Sequence, residues 1–244
     1  IDLRPEQTQS YEAGLEASFL DNRLGFDFTV YKSITRDQIM PLSLTGASGY
    51  TSQIINAGRM DNQGFELKLD LTPVTTPDFQ WDATLTLASN KNKVVDLIKG
   101  VDYYRIVSAP FKVEIGAFKG EEYGVIMGTD YVYDENGNKV VLNNGLYAST
   151  SGNVPLGSVY PDVTGGLLNT FRYKNLSFSI LFDGQRGGKF FSTSYMWGIY
   201  SGMLEETADN NELGIPKRND PADNGGVLLP GVFADGTPND IRVD

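Results

Sequence analysis

The sequence contains no cysteine and no histidine. Without cysteine the chain has no disulfide framework, no thiolate nucleophile and no cysteine-ligated zinc or iron–sulfur site. Without histidine it lacks the commonest general base, the Ser-His-Asp arrangement and the histidine-based metal motifs. No other combination of nucleophile, base and orienting residue can be assembled. We therefore predict that the chain is not an enzyme and needs no cofactor or metal.

Positive charge and long apolar runs are also scarce. The chain has 20 Lys and Arg against 31 Asp and Glu, a net charge of −11, which argues against binding nucleic acid because such binding neutralises phosphates with cations. No apolar run approaches the roughly 18 to 20 residues of a membrane helix, whereas barrel strands need only about 9 to 11. The chain begins at Ile1 without a signal peptide, which predicts an interior or processed piece of a longer protein.

What the sequence does contain is alternation with a period of two. Residues 11–19 and 24–31 each alternate apolar and polar side chains, with only 21–23 between them. This pattern predicts two half-buried strands joined as a hairpin near 11–32. The same argument predicts hairpins near 63–89, where the stretch from Pro73 to Pro77 ends the first strand, and near 163–183.

The connections between strands alternate between short and long. Three are short, whereas long loops rich in Gly, Asn, Asp and Tyr are predicted near 33–62, 90–162 and 184–244. Short turns on one side and long loops on the other are typical of bacterial outer-membrane barrels. If the short turns all lie on one side of a membrane, the region 90–162 must contain an even number of membrane crossings, either none or two. We favour none, with the region forming a loop excursion. Within it, Asn136-Gly137 predicts a small hairpin. No helix is predicted beyond a turn or two near 203–209.

Three passages resemble the SusC/RagA family of TonB-dependent outer-membrane transporters of Bacteroidetes. The first is Leu3-Arg4-Pro5-Glu6-Gln7-Thr8 with the hairpin after it. The second is Asn56-Ala57-Gly58 with Asn62-Gln63-Gly64-Phe65-Glu66-Leu67. The third is Tyr160-Pro161-Asp162 with Gly165-Gly166-Leu167, Asn169-Thr170-Phe171 and Tyr173-Lys174-Asn175. The three passages stand in the right order, and together they cover about two thirds of the chain.

The resemblance implies an all-β fold, an antiparallel meander of about six to eight strands within a plugged barrel of 22 strands. Six to eight strands cannot close a lumen of that size. The resemblance therefore implies that the chain is a fragment of the whole barrel protein. It further implies a place in the bacterial outer membrane, contact with outer-membrane lipid, a TonB system and a SusD-like surface lipoprotein as partners, and import of a glycan or an oligopeptide.

Polar residues on one face of the strands are candidates for lining the lumen. Opposite the apolar side chains, the alternation places a set of charged residues that would contact the plug or influence what passes. The alternative is the solvated face of an ordinary antiparallel sandwich. The candidates are Glu12, Glu16, Asp27, Glu66, Lys68, Asp70, Asp82 and Asp183.

Aromatic residues in the loops are candidates for substrate contact, because their rings stack on sugar or peptide faces. Alternatively they form a girdle at the membrane interface. The loop aromatics are Tyr50, Tyr103, Tyr104, Tyr123, Tyr195, Trp197 and Tyr200, of which we name Tyr103, Tyr104, Tyr195, Trp197 and Tyr200 as substrate-binding.

Three other interpretations stay open. A soluble all-β module binding carbohydrate or protein would bury the apolar faces of the strands against a second sheet. A glycoside hydrolase would need two carboxyls roughly 5 to 10 Å apart in a cleft. Asp209, Glu212, Asp220 and Asp223 offer oxygen ligands suited to calcium, but their spacing matches no known calcium loop, and we favour a solvated loop.

Overall fold

The computed structural model describes residues 3–43, 52–56, 58–110 and 113–244. The chain divides into two compact units. The sheet unit contains Ile1–Val107, Ile115–Val125 and Gly157–Lys189, and the loop unit contains Ser108–Glu114, Ile126–Leu156 and Phe190–Asp244.

In chain order the elements are β1 Gln7–Phe19, β2 Leu24–Arg36, β3 Ile39–Ser43, β4 Ser52–Asn56, β5 Arg59–Thr75, β6 Phe79–Asp96, β7 Tyr103–Ser108, β8 Glu114–Phe118, β9 Tyr123–Gly128, β10 Val154–Ser158, β11 Pro161–Tyr173, β12 Leu176–Gly187, α1 Thr193–Tyr200, β13 Val227–Leu228 and β14 Arg242–Val243.

The main sheet has six strands in the order β1-β2-β5-β6-β11-β12. Every neighbouring pair in it is antiparallel. At the end opposite the β1–β2 turn, which we call the loop end, the strands extend beyond the residues that alternate apolar and polar. Polar side chains pair across the strands there: the hydroxyl of Thr8 bonds that of Thr35, and the hydroxyl of Ser10 bonds that of Ser33. The predicted fold class, an antiparallel meander, is confirmed.

Short turns join the strands of each hairpin. The β1–β2 turn places Leu20, Asp21 and Asn22 in the left-handed region, and the β11–β12 turn does the same with Lys174. Asn and Asp tolerate this conformation because their short polar side chains bond locally, whereas Leu20 does so at a steric cost. All three turns lie at the same end of the antiparallel sheet.

Strand β5 continues through Pro73 and ends at Thr75, within the stretch from Pro73 to Pro77 that the sequence predicted to end it. The register between β5 and β6 shifts between Leu71 and Val74, so Pro73 lies in a bulge where its missing N–H breaks no ladder bond. Arg23 in the neighbouring turn donates from Nη2 to the Pro73 carbonyl at 2.9 Å. The bulge therefore also anchors the first turn.

The motif residues Asn56 and Gly58 join β4 to the start of β5. Asn56 Nδ2 donates to the carbonyls of Arg4 and Asp37, each at 2.7 Å. Gly58 has a φ of 74° and lies so close to the Asp96 carbonyl that no Cβ would fit. Part of this region was predicted as loop, but β3 and β4 pair within it as a short antiparallel hairpin.

None of the strands between β6 and β11 joins the main sheet in the described part of the chain. Strands β7 to β10 form a separate sheet in the order β10-β9-β8-β7, and β6 pairs directly with β11. This supports the loop excursion over two crossings. The predicted small hairpin is present as isolated bridges, including Tyr133 with Lys139.

The region 184–244 contains a helix that the sequence did not predict. Helix α1 spans Thr193–Tyr200, and Ser192 caps it by accepting a hydrogen bond from the Tyr195 amide. Two short 3-10 helices follow, at Glu205–Thr207 and Pro221–Asp223. Among the described residues, no helix is both long and apolar enough to span a membrane.

Candidate functional site

The apolar side chains of the main sheet form continuous rows across all six strands. Because directly paired residues share a face, the registers show which side chains lie together. One row runs Leu15, Phe28, Leu67, Leu87, Gly165 and Gly184, and the next runs Ala17, Phe26, Leu69, Leu85, Leu167 and Phe182. We call this surface the apolar belt.

The apolar belt is not covered by a second sheet. Leu15 is 62% exposed, Phe178 61% and Phe182 58%, and among the described residues no large side chain is completely buried. A two-sheet sandwich would enclose these side chains in a core. The exposed belt therefore argues against the soluble sandwich and fits a sheet whose apolar face meets lipid.

One polar residue lies within the apolar belt and is hydrogen-bonded there. Asn169 of β11 is only 8% exposed, and its Oδ1 accepts a bond from Trp81 Nε1 at 3.1 Å. The Trp81 ring also stacks on Phe171, which in turn stacks on Phe178. These three rings lie near the short turns, in the manner of an aromatic girdle.

The opposite face carries the eight predicted lumen residues. One row across the sheet reads Glu16, Asp27, Lys68, Thr86, Gly166 and Asp183. By the same alternation Glu12, Glu66, Asp70 and Asp82 share this face. The structure thus brings the predicted set together on one surface, which we call the polar face.

Hydrogen bonds and ion pairs hold several of these carboxylates. Lys68 Nζ lies 2.7 Å from Asp70 Oδ2, and Thr84 donates to Asp70 Oδ1 at 2.7 Å. Asp82 accepts from Thr72 and pairs with Arg172 at 2.9 Å. The acids outnumber the cations on this face, so it presents negative charge in its middle.

An uncharged pocket lies on the polar face nearer the long loops, and the sequence did not single it out. It has a volume of about 450 Å³. Asn90 donates to the Tyr31 hydroxyl at 3.1 Å, and Asn62 Oδ1 is buried with no hydrogen-bond donor among the described residues. Its lining includes Ser33, Thr35, Asn62, Asn90, Asn92, Tyr123 and Tyr160. The signal that could have revealed it is the set of asparagines beyond the apolar belt, at 62, 90 and 92, all on the polar face of their strands.

Gly64 makes room for the Tyr31 ring beside this pocket. A Cβ at Gly64 would lie 2.5 Å from the Tyr31 hydroxyl and closer still to the Ser89 carbonyl. Tyr31 therefore lies across Gly64 and reaches Asn90 on the next strand. This contact explains why a glycine occupies the middle of the resembling phrase Asn62-Gln63-Gly64-Phe65-Glu66.

Tyr103 and Tyr104, two predicted substrate contacts, lie in the small sheet. Tyr103 packs over Gly116 and lies 6.1 Å from the Phe118 ring centroid. Tyr104 packs against the buried cluster of Val94, Leu97 and Ala117. Both rings are thus engaged in packing. Tyr50 lies outside the described residues.

Tyr195, Trp197 and Tyr200 lie together on α1 in the loop unit. Trp197 and Tyr200 meet edge to face at 5.7 Å. The hydrogen bond between Tyr195 and the Glu206 carboxylate raises the pKa of the tyrosine. A separate cavity of about 840 Å³ lies beside α1 and is lined by Tyr200, Glu206, Lys217, Arg218 and other residues. Of the five predicted aromatics, the helix therefore groups three.

Three of the four acids that could offer calcium ligands have other partners. Asp220 caps the 3-10 helix that follows it, by accepting from the Ala222 amide. Glu212 pairs with Arg242, and Asp209 lies 3.9 Å from Lys217. A hydrogen bond from its own backbone, and then Arg242, lower the pKa of Glu212. Among the described residues, no three acidic side chains converge as a metal site would require.

The chain is similar to known TonB-dependent receptors. The family model of TonB-dependent receptor-like β-barrels matches residues 1–195. TonB-dependent receptor P26 of Formosa agariphila is 33% identical over 219 residues, which are 78% of this chain and 21% of the relative. TonB-dependent receptor SusC of Bacteroides thetaiotaomicron is 29% identical over 192 residues, 73% of this chain and 19% of the relative.

Solved structures show the same fold. The structure of the RagAB peptide transporter matches with a TM-score of 0.59 and 23% identity, covering 73% of this chain and 21% of that one. The RagAB peptide importer in its closed-closed state gives 0.59 and 24%, covering 74% and 21%. The chain spans about a fifth of the length of the curated relatives it matches. These relatives are receptors and transporters, not enzymes.

Proposed function

The chain belongs to the family of TonB-dependent receptor β-barrels, and from this membership we propose that it forms wall and extracellular rim of a transporter that imports a bulky nutrient. Its place is the bacterial outer membrane. A TonB system supplies the energy, and a SusD-like surface lipoprotein covers the long loops. The nutrient is a glycan or an oligopeptide.

The observation that carries this proposal is the stagger of the hairpins. At its turn end, the β1–β2 pairing stops at Phe19 and Leu24, which lie in the same row across the sheet as Asn169 of β11. The β11–β12 pairing stops four residues beyond Asn169, at Tyr173 and Leu176. From one strand to the next, the turn end of the sheet is thus displaced along the strands by about one residue.

A stagger of that size is what closing a sheet into a barrel requires. With a rise of about 3.4 Å per residue and about 4.8 Å between strands, it corresponds to a tilt of roughly 35°. Strands of outer-membrane barrels tilt by about 35 to 45°. The uncovered apolar belt and the short turns at one end support the same conclusion.

The two faces then take different roles. The apolar belt contacts lipid, and the polar face lines the lumen, where Glu12, Glu16, Asp27, Glu66, Lys68, Asp70, Asp82 and Asp183 meet the plug or the passing nutrient. The uncharged pocket offers amide and hydroxyl groups with tyrosine rings, which suits a ligand that hydrogen-bonds without carrying charge. The α1 aromatics Tyr195, Trp197 and Tyr200 are proposed as a contact at the rim, and Tyr103 and Tyr104 as further substrate contacts.

The proposal is tested by nutrient uptake in cells. Deleting the gene of the complete receptor should abolish uptake of one glycan or peptide class, and restoring it should recover uptake only in cells with a working TonB system. Equal uptake with and without TonB would contradict the proposal. Asn62→Leu should lower uptake at unchanged receptor abundance, whereas the matched Ser179→Leu, outside the pocket near the short turns, should not.

A further inference from the structure

Five exposed cations lie on the same face as the apolar belt, at the end of the sheet away from the short turns. Lys32 and Lys91 share a row with Tyr11 and Gln63. By alternation along their strands, the remaining three lie on this face as well. The five are Lys32, Arg36, Lys91, Lys93 and Arg186, and we call them the cation band.

The cation band begins directly at the edge of the apolar belt. Lys32 is the next residue on its face after Val30. Lys91 follows Leu87 with only Ser89 between them, and Arg186 follows Phe182 with only Gly184 between them. On these three strands a cation therefore follows a large apolar residue of the belt by two or four residues.

Nearby acids offset the positive charge of the band only in part. Asp61, the acid in the midst of these strands, is held by Arg59 at 2.6 and 2.7 Å. Glu121 and Glu122 line a shallow pocket with Lys91 and Lys93. Within the described ranges, none of the five cations forms an ion pair closer than 4 Å. The band is thus a local excess of positive charge in a chain of net charge −11.

The other edge of the apolar belt is different. There Arg23 donates to the carbonyls of Thr72 and Pro73, and Lys174 lies over the Tyr173 ring at 5.4 Å. Both cations belong to the turns and have partners within the chain. Unpaired cations on the lipid-facing side are therefore a property of the loop end.

We propose that the cation band binds the phosphate-bearing headgroups of the outer-leaflet lipids that surround the sheet. The proposal rests on the proposed function, since it requires the apolar belt to meet lipid and the loop end to be extracellular. Charged residues are tolerated on a lipid-facing surface only near the interface, where a cation gains from anionic headgroups. Tyr11, beside Lys32, is the kind of aromatic residue found at that depth.

The test compares two triple variants of the complete receptor, extracted from the outer membrane in neutral detergent. One removes charge by Lys32→Gln, Lys91→Gln and Arg186→Gln, and the matched control keeps it by Lys32→Arg, Lys91→Arg and Arg186→Lys. Phosphate-bearing lipid retained per receptor is measured by mass spectrometry. Added phosphatidylglycerol, phosphatidylcholine and inorganic phosphate are then titrated separately.

Each surface cation contributes roughly fivefold to binding an anionic lipid surface, so the neutral variant should bind phosphatidylglycerol at least about tenfold more weakly. The charge-keeping variant should match the wild type. Equal retention by all three proteins, or equal loss in both variants, would overturn the proposal. So would tight binding of inorganic phosphate alone, which would indicate a free-anion site.

Failure of the proposed function is recognised separately. A wild-type receptor that does not reach the outer membrane, or takes up nutrient without TonB, contradicts the transporter. If the receptor inserts and transports normally but retains the same amount of lipid when the three cations are replaced, only the proposal for the cation band is contradicted.

Discussion

Phe28 in the main sheet and Asn211 in the loop unit are held in place in different ways. Phe28 lies between Leu15 and Leu67 in a row set by backbone pairing, and its ring is 6.2 Å from that of Phe26. Asn211 is 9% exposed and uses its side chain to bridge backbone groups, donating to the Asn224 carbonyl at 2.8 Å and accepting from the Ile215 amide at 3.1 Å.

The difference shows which part of each unit carries its geometry. In the main sheet the backbone ladder fixes the structure, and side chains determine what each face contacts. In the loop unit, buried amides such as Asn239, which donates to the Leu229 carbonyl at 2.9 Å, replace a ladder. Loop segments held in this way can vary in sequence between the anchors without disturbing the sheet.

The largest effect is expected from a charge in the middle of the apolar belt. Leu67→Arg places a cation against lipid and should destabilise the barrel by about 2 to 4 kcal/mol. Thr86→Arg, on the polar face and beside the row of acids, is the matched control and should be tolerated. Assembly is measured in the outer-membrane fraction by heat-modifiable mobility on gels. Equal loss in both variants would contradict the assignment of the two faces.

A smaller effect is expected where two strands approach closely. Gly64→Ala brings a Cβ against the Ser89 carbonyl and the Tyr31 hydroxyl, and such overpacking costs roughly 1 to 3 kcal/mol. Gly184→Ala is the control, because a Cβ there meets nothing within 4 Å. Unfolding in urea should separate the two variants, and identical midpoints would show that Tyr31 does not lie across Gly64.

The loop unit should respond locally. Asn211→Ala removes bonds to the Leu213 and Ile215 amides and to two carbonyls, and local opening of this segment should become easier by about 1 kcal/mol. Hydrogen exchange should accelerate across 211–226 while the main sheet keeps its protection. Asn144→Ala removes one exposed turn bond, to the Leu146 amide, and should change little. Loss of protection throughout the main sheet would contradict the independence of the two units.

The smallest effect concerns pH. Hydrogen bonds from the Asn138 side chain and backbone lower the pKa of Asp134 in the small hairpin. A lowered pKa means that the carboxylate stabilises the turn above its unfolded pKa of about 3.9 and that this contribution disappears as the pH falls through the folded value. Amide exchange at 136 and 138 should therefore lose protection below about pH 4, and Asp134→Asn should remove that dependence. A turn insensitive to acid would contradict this.

The six main strands could be predicted from sequence because alternation continues for many residues and each hairpin closes locally. The end of β5 within the stretch from Pro73 to Pro77 could also be predicted. The bulge that keeps Pro73 inside the strand could not, because a bulge depends on the register with β6. Helix α1 was missed because its eight residues, TSYMWGIY, show no helical periodicity and its only clear signal is the Ser192 cap.

The candidate site could be predicted only in part. Alternation placed the charged residues on one face, since that depends on the strand alone. The uncharged pocket depends on which strands are neighbours, because Tyr31 and Asn90 meet only when β2, β5 and β6 lie side by side. The surroundings of Tyr103 and Tyr104 could not be predicted either, because their packing depends on Gly116 and on the cluster around Val94.

The central claim, that one face of the main sheet meets lipid and the other meets water, can be tested on a single strand. The chain contains no cysteine, so a single cysteine at each position from Phe65 to Leu71 is the only one in this part of the receptor. With cysteines elsewhere in the receptor replaced, it can carry a spin label in the protein reconstituted in lipid. Phe65, Leu67, Leu69 and Leu71 should collide mainly with oxygen, and Glu66, Lys68 and Asp70 mainly with a water-soluble nickel complex. Odd positions shielded from both reagents, or equal access to nickel along the whole strand, would contradict the account.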